Sequence, residues 1–501
     1  MIKTRIAPSP TGNLHLGTAR SALYNYLYSK QTGWKFLLRI EDTDTARSTK
    51  FFEEDIIQGL RWLGMDYDIW PYKEDELGPY YQMQRMNIYN TYIEKLISEW
   101  KAYYAWDSSE ELEEMREKAA KSKKPFVYRV EDDNSSIHFH KEKVCDNDQV
   151  EEFKKEWRTP VIRFKVSNKT VNYTDLIKWE LSFDMSQFAD FVILKWDGVP
   201  TFYLVNVVDD YLMWISHILR WEDHIPNTPK QILIYEALDM DMPEFGHLPM
   251  LLNANKSKMS KRDTENELVT VSRFKEEWFL PQALINFISL LGWHPSSDKE
   301  NFTIDELVQE FSIDRIQVSN AIYDYQRALW FNSDFIKKMS DEDFVDAIIP
   351  YLKEYGDQDW KEILSITEKS YWYKLAPYIK IRIQTLWQFR DNAKYFFKTQ
   401  MPTDDIIFSE KMKVTAQLVS DILPKIYNIL YSIDEDNRNE ETIKDCLINF
   451  IKDNWYKNWQ ILWPIRSVLT WVQASPWAFE MLYVLGKEES LNRIKSYIHY
   501  W

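Results

Sequence analysis

The sequence has few cysteines, few glycines and no long apolar run. Its two cysteines, Cys145 and Cys446, are far apart and have no partners at metal-ligand spacing. This pattern predicts no structural zinc site and favours a reducing compartment, so we expect a cytoplasmic protein. No apolar stretch approaches the roughly 20 residues of a membrane helix. No apolar run follows the basic start either, so neither a membrane partner nor a signal peptide is expected.

Glycine is the most unusual shortage. The chain has 11 glycines and 22 tryptophans, whereas ordinary glycine usage of about 7% would give roughly 35 in a chain of this length. Positive charge is also in the minority, because the formal net charge is -16. An acidic chain binds nucleic acid only through local clusters of Lys and Arg, so composition by itself does not indicate RNA binding.

The residues that are present indicate a globular protein of several domains. Apolar residues make up 45% of the chain and charged residues 28%, which is typical of globular proteins. A chain of 501 residues is too long for one hydrophobic core. We therefore expect roughly two to four domains.

The first fifty residues have the pattern of a βαβ unit. A short strand is predicted at 4–7, and the turn residues at 8–12 follow it. Beyond His15, apolar residues recur at the spacing of an amphipathic helix that Gly33 should end, and 35–40 is a second predicted strand. A ligand of such a unit lies at the carboxyl ends of the strands, where a helix N-terminus suits a phosphate. The spacing alone also fits a βαβ unit without a ligand.

Two motifs in this region resemble the opening of glutamyl-tRNA synthetases. R-I-A-P-S-P-T-G at 5–12, followed by H-L-G-T at 15–18, resembles their variant of the class I HIGH signature, with Thr18 at the second histidine. R-I-E-D-T-D at 39–44 matches the acidic motif that follows in that family. Two long motifs in register are a specific signal, unlike the βαβ pattern itself.

Later segments keep the order of the same family. An apolar run at 200–206 is predicted to be a buried strand. H-I-L-R-W-E-D at 217–223 and N-T-P-K-Q at 227–231 resemble the family segments H-V-I-R-G-E-D and S-T-P-K. K-S-K-M-S-K-R at 256–262 resembles the class I KMSKS loop. A lysine-rich run alone is usually a solvated loop, so its place downstream of the other motifs is what makes it informative.

The resemblance covers nearly the whole chain and implies an α/β fold. It implies a Rossmann-type class I synthetase catalytic domain with an inserted acceptor-binding domain, followed by an all-α anticodon-binding region of the bacterial type. The catalytic halves are expected at 1–80 and 191–253, and the insertion at 81–190. The KMSKS-type loop with a stem-contact helical domain is expected at 254–330, and the anticodon-binding region at 331–501.

The implied reaction is ATP-dependent attachment of L-glutamate to tRNA-Glu through glutamyl-adenylate, by a monomer that uses ATP with Mg²⁺. Attack of a carboxylate on the α-phosphorus spreads negative charge over the phosphoryl oxygens and pyrophosphate. Lysines, a helix N-terminus and Mg²⁺ can stabilise that charge. The positions that match catalytic groups of the family are His15, Thr18, Lys258 and Lys261. The positions that match its ATP site are Pro10, Gly12, His15, Gly17, Lys258, Ser260 and Lys261.

Glutamate requires cations or amides for two carboxylates and an anion for its ammonium group, and arginine forks suit carboxylates. The positions that match the family's glutamate site are Arg5, Ser9, Glu41, Asn206 and Arg220. Arg382 and Arg262 match tRNA-contacting positions. One departure is Phe202, where the family usually has Tyr. The missing hydroxyl would weaken amino-acid selectivity. A surface ion pair is the alternative role of any single arginine in this set.

Twelve tryptophans stand where the family pattern has glycine or resemble such positions. Glycine serves positive φ and close backbone approach, which tryptophan does not adopt cheaply. One hypothesis is that UGA codons are read as glycine by the cell but are written here as tryptophan. The alternative is an aromatic-rich lineage with compensating changes. The twelve are Trp34, Trp70, Trp100, Trp157, Trp179, Trp214, Trp221, Trp278, Trp455, Trp459, Trp471 and Trp477.

Three other functions compete with the implied one. A relative that glutamylates a modified tRNA base would lack the helical C-terminal region. A catalytically silent tRNA-binding relative on the same fold is favoured by Trp221 beside the expected nucleotide site, and opposed by His15, Lys258 and Lys261. An unrelated adenylyltransferase would not explain the anticodon-like half. The sequence does not show whether tRNA-Gln is also charged.

Overall fold

The computed structural model describes residues 2–73, 75–123, 126–129, 147–253, 255–257 and 269–500. The chain forms two compact units. The first contains Met1–Lys275 and Leu284–Tyr325, and the second contains Glu276–Ala283 and Gln326–Trp501. The division of the chain into five parts stays a prediction.

Strands and helices mix as far as residue 325. In chain order the elements are β1 (Thr4–Ile6), α1 (Leu16–Gln31), β2 (Phe36–Leu38), α2 (Lys50–Trp62), α3 (Met86–Ser98), β3 (Ala102–Ala105), α4 (Ser109–Lys121), α5 (Asn147–Lys155), β4 (Val161–Phe164), β5 (Thr170–Asp175), β6 (Trp179–Asp184), β7 (Phe191–Leu194), α6 (Phe202–Leu212), β8 (His217–Trp221), α7 (Thr228–Leu238), β9 (Glu244–Leu248), β10 (Leu251–Leu252), α8 (Val271–Glu276), α9 (Pro281–Ser289), α10 (Ile304–Glu310) and β11 (Ala321–Ile322).

Parallel strands form the centre of the first unit. β1 pairs with β2 in parallel, with Arg5 opposite Leu37, and β8 pairs with β9 in parallel, with Arg220 opposite His247. The amide of Ser216 donates to the carbonyl of Lys3 (3.0 Å), which brings β8 beside β1. The predicted βαβ unit is confirmed. The motifs that begin at Arg5 and at His217 therefore lie on neighbouring strands.

The prediction of a strand at 200–206 is wrong. These residues lead into helix α6, which Thr201 precedes as its N-cap. The apolar run shows no helical period because α6 is buried on several faces. Its buried residues include Leu204, Val205, Val207 and Val208. A buried helix and a buried strand give the same continuous apolar pattern over a short run.

Residues 102–194 include antiparallel strands of their own. β3, β4 and β7 form a three-stranded sheet, and β5 pairs with β6 as a hairpin. β5 also leads back to the parallel strands, because the amide of Leu176 donates to the carbonyl of Phe245 in β9 (2.8 Å).

The second unit is helical in its described part, and the predicted helical patterning from 330 onward is confirmed. Buried aliphatic and aromatic side chains of these helices form one hydrophobic cluster. Gly486 interrupts the last helix with a φ of 78°. No helix among the described residues is long and apolar enough to cross a membrane. The helices are α11 (Tyr325–Lys338), α12 (Asp341–Tyr355), α13 (Gln358–Ile366), α14 (Lys369–Lys380), α15 (Phe389–Phe397), α16 (Asp404–Ile407), α17 (Ala416–Ser432), α18 (Glu440–Asp453), α19 (Asn458–Thr470) and α20 (Ala478–Tyr500).

Tryptophan is concentrated at left-handed backbone positions. Among the described residues, eleven other than glycine have positive φ, and seven of these are tryptophans with φ between 49° and 64°. All seven belong to the twelve glycine-like positions of the sequence. Side chains make this conformation costly, and glycine adopts it most readily. The seven are Trp100, Trp157, Trp179, Trp214, Trp278, Trp455 and Trp471.

Candidate active site

A cavity of about 300 Å³ opens beside the carboxyl ends of β1 and β8. It is lined by all five residues that match the family's glutamate site. Arg5 lies in β1, Ser9 in the following loop, Glu41 just after β2, Asn206 in α6 and Arg220 in β8. Residues that are far apart in sequence meet here because each lies in or next to a strand or helix that ends at this edge.

Arg5 is held by Asp210 of α6. Its Nε and Nη2 donate to the two carboxylate oxygens of Asp210 at 3.2 and 3.0 Å. Arg39 donates from Nη1 to the same carboxylate (2.8 Å) and from Nη2 to Oδ1 of Asn206 (2.7 Å). Two buried arginines thus share one buried aspartate. The nearby arginines lower the pKa of Asp210 against the opposing effect of burial.

A second buried carboxylate of α6 holds side chains at and just before the start of α3. Asp209 accepts hydrogen bonds from Nε of Arg85 (2.6 Å), Nε2 of Gln82 (3.0 Å) and the hydroxyl of Tyr89 (2.8 Å). It also lies 3.5 Å from Nε of Arg39. The adjacent carboxylates of α6 therefore fix residues on both sides of that helix.

Glu41 is the acidic group that lines the cavity. Its side chain is 12% exposed, and its Oε1 lies 3.9 Å from Nη2 of Arg39. Burial raises the pKa of Glu41 to about 6, although Arg39 and Arg5 act in the opposite direction. The carboxylate is therefore ionised at neutral pH but close to its titration range.

Arg220 is a buried cation of the cavity wall with an unused hydrogen-bond donor. Its Nε donates to Nε2 of His247 (3.2 Å), and its Nη2 donates to the hydroxyl of Thr228 (2.7 Å). Its Nη1 is buried and has no hydrogen-bond partner among the described residues. Burial, and then the charge of Arg5, lower the pKa of Arg220 to about 10, so it stays protonated at neutral pH. An unsatisfied buried guanidinium favours an anionic ligand.

The start of α1 lies next to this cavity. His15 caps the helix, and its Nδ1 accepts from the amide of Gly17 (3.1 Å). Thr18, on the first turn, lines the cavity. Pro10 is buried and Gly12 is half-buried in the loop before the helix. The helix N-terminus thus presents its positive end where the sequence predicted a phosphate site.

Trp221 occupies space at this helix start. A Cβ atom built on Gly17 would lie 1.7 Å from Cζ2 of Trp221, so the indole fills the place where a side chain of residue 17 would be. The guanidinium of Arg20 lies 5.2 Å from the centre of the indole ring. Trp221 also lines the cavity. The start of α1 is therefore crowded by a residue that stands where the family pattern has glycine.

Phe202 lines the same cavity and offers no hydrogen-bonding group. Its ring packs against His224, with the ring centres 5.2 Å apart. The neighbouring Tyr203 does not replace the missing hydroxyl, since that hydroxyl accepts from Nζ of Lys230 (3.2 Å) and Tyr203 does not line the cavity. Burial lowers the pKa of His224 to about 4, with Arg220 as the next cause, so the ring is neutral.

The remaining predicted site residues are not among the described residues that line this cavity. Lys258, Ser260, Lys261 and Arg262 are outside the described residues. Arg382, in the second unit, donates from Nη2 to Glu480 (3.0 Å) and from Nη1 to the carbonyl of Tyr378 (2.5 Å).

A groove of about 800 Å³ in the second unit is lined by Glu480 together with basic and aromatic side chains. The basic and aromatic members are Lys444, Trp459, Trp463, Arg466, Trp477 and Phe479.

Sequence reasoning missed four residues that hold the site. Asp210, Asp175, His247 and Thr228 contact the arginines or one another rather than lining the cavity directly. The pair Asp209-Asp210 was visible after an apolar run, but only its helical setting shows that both carboxylates are buried.

Two family models divide the chain between them. The catalytic domain of class I tRNA synthetases for glutamate and glutamine matches residues 1–330, and an anticodon binding domain matches residues 343–498. The chain is 35% identical over 506 residues to glutamate–tRNA ligase 2 of Thermoanaerobacter pseudethanolicus. The alignment covers 100% of this chain and 98% of the relative. The chain belongs to the class I glutamyl-tRNA synthetase family. The glutamate–tRNA ligase of Bacillus subtilis is 34% identical over 499 residues, with 99% of both chains covered.

Solved structures agree with this family. A glutamate–tRNA ligase from Elizabethkingia meningosepticum, crystallised in complex with its amino acid, matches with a TM-score of 0.87 and 31% identity over 99% of each chain. The ligase from Elizabethkingia anophelis matches with a TM-score of 0.85 over the same shares. The α/β catalytic fold and the helical anticodon-binding region predicted from the sequence are confirmed for this family member.

Proposed function

We propose that the chain attaches L-glutamate to tRNA-Glu in two steps, through glutamyl-adenylate. The observation that supports this most is the unsatisfied Nη1 of buried Arg220 in a cavity that also contains Arg5 and Glu41. Two cationic groups and one anionic group match the two carboxylates and the ammonium group of glutamate. We place the reaction in the cytoplasm, where tRNA and the ribosomes that use charged tRNA are found, and we expect a monomer.

Each cavity residue has a role that its geometry permits. Arg220 is proposed to pair with a carboxylate of glutamate, because its other nitrogens already have partners. Glu41 is proposed to pair with the ammonium group, with Ser9 and Asn206 as hydrogen-bonding neighbours. Arg5, which Asp210 holds in place, adds positive potential and can donate hydrogen bonds to the second carboxylate.

ATP is proposed to bind at the start of α1. His15 and Thr18 would contact the phosphates, and Pro10, Gly12 and Gly17 would allow close approach of the nucleotide. Lys258, Ser260 and Lys261 would complete the site and stabilise the leaving pyrophosphate, as their family positions imply. Mg²⁺ arrives with ATP, where it neutralises phosphate charge.

The tRNA is proposed to contact both units. Arg262 would contact it near the active site, and Arg382 would contact the anticodon. In the free chain Arg382 pairs with Glu480, which also lines the basic and aromatic groove of the second unit. Trp463 and Phe479 are the aromatic members of this groove outside the twelve glycine-like positions, and aromatic side chains among Lys and Arg suit unstacked RNA bases and their phosphates.

Aminoacylation with labelled glutamate tests the proposal directly. The chain is mixed with ATP, Mg²⁺ and tRNA-Glu, and acid-precipitable label is measured, with tRNA-Gln in a parallel reaction. We expect charging of tRNA-Glu. If tRNA binds but neither charging nor ATP–pyrophosphate exchange occurs, the chain is a catalytically silent relative. Trp221 beside Gly17 is the feature that would account for that outcome.

A further inference from the structure

Left-handed tryptophans terminate several helices of this chain. After α6, the amide of Trp214 donates to the carbonyl of Tyr211 (3.0 Å), and the amide of Ile215 donates to the carbonyl of Asp210 (2.8 Å). This pair of bonds defines the Schellman motif, which places a left-handed residue just beyond the helix C-cap and usually uses glycine there. The same pair of bonds occurs at Trp100, Trp157 and Trp455.

The chain uses glycine at the same motif elsewhere. Gly33 ends α1 with a φ of 72°, and Gly64 ends α2 with a φ of 81°. In both, the glycine amide donates to the carbonyl three residues back, and the next amide donates to the carbonyl five residues back. These two ends show what the backbone requires at the equivalent positions of α3, α5, α6 and α18.

Four of the left-handed tryptophans gain little burial in return for this conformation, whereas Trp278 and Trp471 are buried. Trp157 and Trp455 are both 93% exposed, and Trp214 is 69% exposed. Trp179, at a hairpin end between β5 and β6, is 68% exposed with a φ of 64°. Large aromatic side chains are normally well buried, because burial is their main contribution to stability. No packing advantage therefore explains tryptophan at these four positions.

We infer that the twelve glycine-like tryptophan positions are glycine in the protein as the cell makes it, with UGA codons read as glycine. Seven of the twelve have the backbone conformation that glycine favours. An eighth, Trp221, occupies space against Gly17 at the proposed nucleotide site. None of the described tryptophans outside the twelve, such as Trp62 and Trp293, has a positive φ. Positive φ among the described tryptophans is therefore confined to members of the twelve, and seven of them have it.

Tandem mass spectrometry of the protein purified from its own cells tests this inference. Peptides that span positions 214 and 221 should carry glycine, whereas peptides that span Trp62 and Trp293 should carry tryptophan. The gene should have UGA at the twelve positions and UGG at the others. Tryptophan in the first pair of peptides, or UGG at the twelve codons, would overturn the inference.

A separate feature is the chain of hydrogen bonds behind Arg220. Oδ2 of Asp175 lies 2.5 Å from Nδ1 of His247, and both side chains are fully buried. On the other edge of the ring, Nε2 of His247 accepts from Nε of Arg220 (3.2 Å). A guanidinium is always a donor, so Nε2 must carry the lone pair, and the ring proton must be on Nδ1 towards Asp175.

Resting on the proposed function, the structure assigns Asp175 and His247 as positioning residues for glutamate binding. Asp175 fixes the tautomer of His247, and His247 then fixes the guanidinium of Arg220. Thr228 accepts from Nη2 of Arg220. Two nitrogens of Arg220 are therefore held, and its Nη1 is left for the ligand. Oδ1 of Asp175 is itself fixed by the amides of Ile177 (2.9 Å) and Lys178 (2.8 Å).

Two substitutions of His247 separate positioning from simple structural support. His247→Gln can keep an acceptor near Nε2 for Arg220 but loses the contact with Asp175. His247→Asn can keep the contact with Asp175 but loses the acceptor for Arg220. Glutamate affinity is measured by calorimetry, and thermal unfolding is measured alongside. We expect His247→Asn to weaken glutamate binding about 10- to 100-fold, as loss of a hydrogen bond to a charged group does, and more than His247→Gln.

Asp175→Asn adds a second test, because an amide donor facing Nδ1 would move the ring proton to Nε2. It should weaken glutamate binding while ATP binding stays unchanged. His217→Gln, in the same parallel strand pair but outside the cavity, is the matched control. Equal losses in the two His247 variants, or lost thermal stability without lost affinity, would overturn the assignment. If the unmodified chain does not bind glutamate, the proposed function fails instead.

Discussion

The two ends of the active-site cavity differ in how well their residues suit the expected ligands. At the amino-acid end, Arg5 is fixed by Asp210, Arg220 is fixed by His247 and Thr228, and an unpartnered nitrogen is available. At the nucleotide end, Trp221 is packed against Gly17. On the proposed function, the first end is organised before glutamate arrives, whereas at the second end the indole of Trp221 must move, or residue 221 must be glycine, before ATP can approach the start of α1.

This difference shows that a binding motif needs both its donors and its empty space. Buried donors can be held in place in advance by a network behind them, which reduces the cost of binding. A phosphate site at a helix N-terminus also requires that the backbone be approachable, and glycines usually provide that access. One bulky residue can therefore affect one substrate and leave the other unaffected.

The largest expected effect is the loss of glutamate binding when the guanidinium of Arg220 is removed. Arg220→Ala should weaken glutamate binding by about 2–5 kcal/mol, or roughly 30- to several-thousand-fold, as truncation of a buried charge pair does. Arg220→Lys should recover only part of this, because lysine keeps the charge but loses the fork. Calorimetry with glutamate measures both. Unchanged affinity in Arg220→Ala would show that the amino-acid end of the cavity lies elsewhere.

Opening the nucleotide end should have the next largest effect. Trp221→Gly should raise kcat/KM for ATP by about a hundredfold, since small misplacements at a reacting centre cost about that much. Glutamate affinity should change little. Trp214→Gly, at an exposed helix end, is the control and should leave ATP kinetics unchanged. Equal improvement for both variants would mean that stability rather than access limits the reaction.

Lowering the pH should weaken the binding of glutamate but not the binding of ATP. The pKa of Glu41 is raised to about 6 by burial. On the proposed function its carboxylate pairs with the ammonium group of glutamate, and the negative charge is lost as the pH falls through that value. The apparent Kd for glutamate should therefore be flat above about pH 6 and rise up to about tenfold per pH unit below it. His224 does not interfere, since its pKa is about 4.

Calorimetry from pH 5 to 8 measures this profile, with circular dichroism to verify folding. Glu41→Gln should bind weakly at every pH and should remove the pH dependence. A native chain whose glutamate affinity is flat down to pH 5 would exclude Glu41 as the partner of the ammonium group.

Much of the cavity was predictable because its residues follow parallel strands. Arg5 and Glu41 come from the two ends of one βαβ unit, so their proximity follows from the motif order. The role of Asp210 was not predictable from spacing, since the apolar run at 200–206 predicts a strand and buried ion pairs depend on which face points inward. The contact between Asp175 and His247 joins the hairpin of β5 and β6 to strand β9, and no local pattern indicates it.

The fold was predictable in outline for a similar reason. Helix periodicity is strong in the second unit, where one face of each helix is buried. Periodicity failed at 200–206 because burial on several faces removes the contrast between polar and apolar positions. The glycine-like tryptophans were visible as a compositional excess, but only backbone dihedral angles show which of them strain the chain.

A smaller effect is expected on stability at the left-handed tryptophans. Trp214→Gly and Trp455→Gly should each raise the free energy of unfolding by about 1–2 kcal/mol, the cost of a side chain in the left-handed region. Trp330→Gly is the matched control. Trp330 is also exposed (49%) but lies within α11, where glycine should lower stability by about 0.5–1 kcal/mol. Urea titration measures all three, and the same sign for all would contradict the backbone argument.

The smallest expected effect concerns Phe202, and it tests whether the amino-acid end is as complete as its ion pairs suggest. Phe202→Tyr would add a hydroxyl to a cavity wall that now has only a ring packed on His224. One new hydrogen bond is worth about 0.5–1.5 kcal/mol, so glutamate affinity should rise roughly two- to tenfold. Tyr203→Phe, whose hydroxyl contacts Lys230 outside the cavity, should leave affinity unchanged. Weaker binding by Phe202→Tyr would mean that the cavity is already filled by glutamate at that wall and that the phenylalanine is an adapted feature of it.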